Sequence, residues 1–418
     1  MPIFRRRPLC AVFGAVSAAL GVQAAHAEPA PPYLDLLKQA ETTAPRLAQS
    51  RAEVRQAAGL AEQASALPNP TLGLTVENFG GSATFNAISP TQTTVSVSQP
   101  LELGGKRSAR TEAGRAGLDA ARALAVQAKA EYAFDLAQAY IAAEAGDRRL
   151  QLAEDALAMA QDDARAADAL VRAGREADVR NLQARAAVES ARAALAAVRT
   201  VRETTFANLT ALSGFPRPLT SIPDGLLVHG DVIETRRDVD PLAAPAYLAA
   251  RAARDATARR VRLEQTRGMP DLTASVGLRQ LSGVSGGALV AGLSAPLPLF
   301  DRNRGNVAAV SAELAVAEAK ADAARLNAES EARVDQARVQ ATEGQLKAAK
   351  DNEDAATEAY RLTRLGYEAG KTSLLELQSA RRAVSEARVQ TLDTLIERLG
   401  AEAALARLLG VAPFGDKP

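Results

Sequence analysis

Tryptophan is absent from this chain of 418 residues, cysteine and histidine number one and two, and aromatic residues make up only 4%. The one thiol, Cys10, and one of the two imidazoles, His26, lie in the first 27 residues, so the rest of the chain, with His229 alone, offers no thiolate or multi-histidine metal centre. An excess of one charge is also missing, since 50 Lys and Arg face 49 Asp and Glu for a formal charge of +1. That balance excludes the basic stripe of a nucleic-acid binder. No apolar run is long enough to offer a membrane-spanning helix. Proline is absent from Leu101 to Phe215 and again from Leu299 to Ala412, while more than one residue in five is Ala. A proline costs ~3 kcal/mol inside a helix. Two proline-free stretches rich in Ala, Glu, Arg and Leu therefore predict very long helices packed closely through small side chains.

The first segment reads as an address. Arg5, Arg6 and Arg7 precede an apolar stretch from Leu9 to Val22, which ends in Ala25-His26-Ala27. This is the layout of a secretory signal peptide over residues 1–27, cut after Ala27. Arg7, Pro8 and Leu9 do not supply the small residues that a lipoprotein signal requires before its Cys. The remaining chain has no Cys, and its 47 cations and 49 anions leave it at −2. It enters an oxidising compartment without a disulfide, so its stability rests on packing and oligomerisation.

The two proline-free stretches are copies of one plan. At an offset of 196, Pro100 falls on Pro296, Leu103 on Leu299, Gly174 on Gly370, Ala184-Arg185 on Ala380-Arg381 and Gly214 on Gly410. Each copy predicts a helix opened by Pro45 or Pro245, then two short alternating segments. A helix of about 100 Å follows, Lys106 to Arg172 or Asn303 to Gly366. Gly174 and Gly370 suit the turn at its end, and a return helix leads to Leu212 or Leu409. The repeats span 28–216 and 242–413, joined by a linker at 217–241 and followed by a tail at 414–418.

Four strands are expected, at 70–80, 92–101, 271–281 and 288–298. In Thr71–Glu77, Leu72, Leu74 and Val76 share one face while Thr71, Gly73, Thr75 and Glu77 share the other. Thr94–Ser98 and Leu272–Arg279 alternate likewise. Such alternation means one apolar and one wet face. Two readings stay open: an antiparallel sheet on a protein core, or membrane strands with lipid outside and water inside. Four strands cannot close a barrel and open edges do not survive in lipid, so the second reading requires several chains. Phe79, Phe85 and Phe300 are the only nearby candidates for an aromatic girdle.

On this layout the chain resembles the TolC-type outer-membrane factor family. The stretches Gln99-Pro100-Leu101-Glu102-Leu103-Gly104-Gly105-Lys106-Arg107 and Pro296-Leu297-Pro298-Leu299-Phe300-Asp301-Arg302-Asn303-Arg304-Gly305 look like its cobalt–zinc–cadmium branch. The resemblance implies a mainly α fold with membrane β: duplicated long α-helical hairpins and four strands per chain. Three chains would form a twelve-stranded barrel and a periplasmic α-helical tunnel. It implies a homotrimer in outer-membrane lipid, working as a passive exit duct with a periplasmic adaptor and an inner-membrane resistance-nodulation-division pump. No catalytic constellation, cofactor motif or nucleic-acid partner is indicated. The cargo implied is divalent metal cations, with drugs or exported proteins as the alternative. A periplasmic coiled-coil adaptor is the alternative of another class.

The resemblance also directs attention to the turns. Family tips carry a Tyr three residues before the turn Gly, a basic residue after it, an acid six after and an Ala ten after. The second copy matches at Tyr367, Gly370, Lys371, Glu376 and Ala380. In the first, Gly174, Arg175 and Ala184 match, but Val171 and Arg180 replace the Tyr and the acid, leaving Glu176 and Asp178 to supply negative charge. These residues are the candidate gate and docking site. Asp162, Asp163, Asp351, Glu353 and Asp354 precede the tips and are candidates for an acidic ring favouring cations, or else for a solvated helix face. His229 reads as a surface residue rather than a metal ligand.

Overall fold

The computed structural model describes residues 28–79, 91–227, 239–283 and 285–415. The leader, Phe85 and His229 lie outside these residues. Among these residues seven α-helices are formed: α1 (Tyr33–Thr43), α2 (Pro45–Ser65), α3 (Lys106–Arg172), α4 (Asp178–Ser213), α5 (Pro245–Arg267), α6 (Arg304–Glu368) and α7 (Leu374–Leu409). The strands are β1 (Glu28–Pro29), β2 (Thr71–Glu77), β3 (Gln92–Leu101), β4 (Leu219–Ser221), β5 (Leu272–Leu281) and β6 (Gly287–Ser294).

The long helices follow from composition. At 67 and 65 residues, α3 and α6 each extend about 100 Å. Alanines fill much of their buried face, with Ala120, Ala130, Ala133, Ala137 and Ala143 all buried on α3. At Gly114 the approach is closer still, because a Cβ there would lie 2.8 Å from the Ala64 Cβ of α2.

The helices form an open layer. Near the sheet its order is α2, α3, α5, α6; beyond the middle it is α4, α3, α7, α6, with α3 and α6 running through both halves. Where the halves meet, α1 and the parallel β1–β4 pair clamp the layer. Tyr33, Leu36, Tyr132, Leu136, Tyr140, Phe206 and Leu209 form the core there. Tyr33 stacks edge-on to Tyr140 at 5.8 Å and donates its hydroxyl to the Ala133 carbonyl at 2.7 Å. Glu144, buried on α3, accepts the Leu227 N–H at 2.9 Å and so holds the segment that follows β4.

The remaining strands make a separate antiparallel sheet of order β2-β3-β5-β6. Two of them are shorter than the pattern predicts. β6 stops at Ser294 because Pro296 and Pro298 have no N–H for the ladder. β2 stops at Glu77 because Asn78 turns the chain with φ of 60°.

Candidate functional site

The sheet register sorts the side chains by chemistry. Thr71, Gly73 and Thr75 pair with Ser98, Ser96 and Thr94, which in turn pair with Ser275, Gly277 and Arg279. This face is small and polar, with Arg279 donating to Thr94 Oγ1 at 3.1 Å and standing 3.6 Å from Glu77. The opposite face carries Leu72, Leu74, Val76, Val95, Val97, Val276, Leu278, Leu289 and Leu293, all exposed. Leu72 is 77% exposed and Leu289 74%. Among the described residues no helix covers this face, and strands β2 and β6 each keep one unpaired edge.

At the far end, both helical turns are built alike. Gly174 and Gly370 take positive φ of 69° and 75°, a conformation that glycine adopts without steric cost. Arg175 N–H returns to the Leu170 carbonyl at 2.9 Å and Lys371 N–H to that of Gly366 at 2.8 Å. These bonds, with those from each glycine N–H, close Schellman caps. The Arg175 guanidinium lies over Gly370, so the two turns touch.

The charges predicted at the tips divide by partner. Glu376 is committed locally, in a capping box: its carboxylate takes the Ser373 N–H at 2.7 Å while Ser373 Oγ takes the Glu376 N–H at 3.3 Å. The Ser-x-x-Glu spacing announces this arrangement. Arg180 lies 3.7 Å from Glu176. Lys371 and Asp178 are exposed and make no ion pair among the described residues. Tyr367 is buried, and its hydroxyl finds no hydrogen-bond partner among the described residues. Burial pushes that hydroxyl's pKa up.

The acidic candidates do not act as one group. Asp162 pairs with Arg165 and stands 3.8 Å from Arg364, and Glu353 is 3.8 Å from Arg388. Asp351 and Asp354 are exposed. Asp163 departs from the sequence-based expectation. It is 4% exposed, receives the Tyr360 hydroxyl at 3.2 Å and faces Arg381 Nε at 3.3 Å. It faces protein, because neighbouring helical residues point about 100° apart and only one of the pair reaches water. Arg381 and Tyr360 were not singled out by the sequence pattern, although Arg381 and Arg388, seven residues apart, share one helix face. Among the described residues, no group of three or more His, Cys, Asp or Glu is arranged to hold a metal ion.

Residues 36–215 and 242–411 match the family described as outer membrane efflux protein. The chain belongs to this family. It is 40% identical to the nickel-cobalt-cadmium resistance protein NccC of Alcaligenes xylosoxydans xylosoxydans, over 99% of this chain and 93% of that protein. It is 41% identical to the nickel and cobalt resistance protein CnrC of Cupriavidus metallidurans, over 74% of this chain and 73% of that protein. Its fold is that of CusC, with a TM-score of 0.76 at 20% identity over 91% of this chain and 92% of the other. The Vibrio cholerae outer membrane protein VceC gives 0.76 at 22% identity, over 91% and 96%. As an outer membrane efflux protein, the chain resides in the outer membrane and extends into the periplasm.

Proposed function

We propose that three copies join their sheets, β2 of one beside β6 of the next, into a twelve-stranded barrel continued by a helical tunnel. The observation that carries this is the bare apolar face of a sheet with two unpaired edges. Unsatisfied backbone groups in hydrocarbon cost several kcal/mol each, and closure satisfies them. The Thr, Ser and Gly face then lines the water-filled lumen. The open helix layer has the same need, since α6 and the outermost of α2 and α4 each lack a neighbour on one side.

The duct carries divalent heavy-metal cations of the nickel, cobalt, cadmium and zinc class, the metals for which its relatives are named. It is passive, and a periplasmic adaptor and a resistance-nodulation-division pump supply the drive. Gly174, Arg175, Asp178, Arg180, Tyr367, Gly370, Lys371 and Glu376 form the tip gate and docking region. Within it, Lys371 and Asp178 are free to meet a neighbouring chain or the adaptor. Asp162, Asp351, Glu353 and Asp354 supply negative charge to the lumen above the tips. Deleting the gene should lower tolerance to nickel and cobalt, and a plasmid copy should restore it. Unchanged metal tolerance accompanied by drug sensitivity would overturn the cation assignment.

A further inference from the structure

The apolar band continues past the ends of the strands. All four junctions between sheet and helices carry exposed large apolar side chains: Leu67, Leu103, Met269, and Leu297 with Leu299 and Phe300. Phe300 is 100% exposed, although burying such a ring is favourable. Cations stand beyond: Lys106 and Arg107 at the start of α3 and, past Asp301, whose carboxylate takes the Asn303 N–H at 2.8 Å, Arg302 and Arg304 at the start of α6. Neither helix has an acid in its first turn. Cations there oppose the helix dipole, so helix stability does not account for them. Lys106 is held by Asp271 at 2.8 Å. Arg107, Arg302 and Arg304 make no ion pair among the described residues. Arg107 and Arg302 donate only to the Ser65 and Pro298 carbonyls, at 3.4 and 3.3 Å.

We propose that Arg107, Arg302 and Arg304 bind anionic glycerophospholipid headgroups, in a collar seated at the surface of the membrane leaflet nearer the helices. The inference rests on the barrel reading above. Its apolar part is continuous with the lipid-facing side of the sheet. Along both long-helix junctions, apolar residues give way to cations in the order in which acyl chains give way to phosphate. The helices run into the periplasm, so this leaflet is the periplasmic one. Lipopolysaccharide faces the other end of the sheet, beyond Glu77.

The lack of tryptophan makes the test direct, since one substitution creates a single fluorescent reporter. The full chain carrying Phe300→Trp, Val276→Trp or Leu182→Trp is reconstituted into phosphatidylcholine vesicles. The acyl chains are brominated near the headgroup or near the bilayer centre. Phe300→Trp should be quenched by shallow bromines, Val276→Trp by deep ones, and Leu182→Trp, on exposed α4, by neither. Exchanging brominated phosphatidylcholine for the same amount of brominated phosphatidylglycerol should raise quenching of Phe300→Trp about twofold. Adding Arg107→Gln, Arg302→Gln and Arg304→Gln should abolish that gain. If Phe300→Trp escapes quenching while Val276→Trp does not, the collar is wrong and the barrel stands. If neither is quenched, the barrel reading itself falls. Equal quenching by both lipids, or a gain that survives the three glutamines, overturns the headgroup assignment.

Discussion

Arg381 and Asp163 face each other at 3.3 Å inside the tip, with Tyr360 donating to the same carboxylate. The arrangement ties α3, α6 and α7 together where the two hairpins converge, beside a core of Ala167, Ala184, Tyr367, Leu374, Leu377 and Val384. Both charged side chains are nearly dry, so each depends on the other.

Asp163→Ala leaves the buried Tyr360 hydroxyl without its acceptor and should destabilise the tip by about 1–3 kcal/mol. Replacing both together, Asp163→Ala with Tyr360→Phe, should cost much less. Hydrogen exchange in the segment from Leu374 to Val384 distinguishes the two outcomes.

The same carboxylate makes the tip sensitive to pH. Burial raises the Asp163 pKa, against the lowering influence of Arg381, the Tyr360 hydroxyl and Arg364; Asp162 adds to the rise. A carboxyl whose folded pKa exceeds its unfolded value contributes stability that is full below the ordinary value of 3.8 and lost as pH rises through the folded value. Exchange at the tip, corrected for its intrinsic pH dependence, should therefore quicken as pH rises from about 4. Asp163→Asn should flatten that dependence.

Tyr367 and Ser373 should respond in opposite ways. The buried Tyr367 hydroxyl has no partner among the described residues, so Tyr367→Phe should be neutral or stabilise by up to about 1 kcal/mol. Ser373→Ala removes half of the capping box and should cost ~1 kcal/mol. Denaturant midpoints, with exchange at the start of α7, measure both.

On the sheet, Val276→Lys places a charge on the bare apolar face and should cost about 2–4 kcal/mol near the bilayer middle. Ser275→Lys, one residue away on the wet face, should assemble. Recovery of heat-resistant oligomers from membranes separates the pair.

The parts of this molecule that repeat were legible from the sequence, and the parts that depend on contacts distant in the chain were not. The proline-free stretches foretold α3 and α6 because a helix interior excludes proline at every position. The alternation of Leu72, Leu74 and Val76 foretold which face would be apolar because a strand has period two. The burial of Asp163 needed Tyr360, 197 residues away. The clamp from Glu144 to Leu227 needed the path of an irregular segment, which carries no periodicity to read. Glu376 was noticed for its charge, although its spacing from Ser373 already indicated a local cap.

The free borders of β2 and β6 have a genetic consequence. In the ring of three proposed above, every seam needs one sound border from each neighbour, so one faulty copy would breach the whole ring. A cell making intact and border-damaged chains in equal amounts would retain only about one watertight ring in eight. Lesions there should act dominantly, whereas many elsewhere in the chain should be recessive.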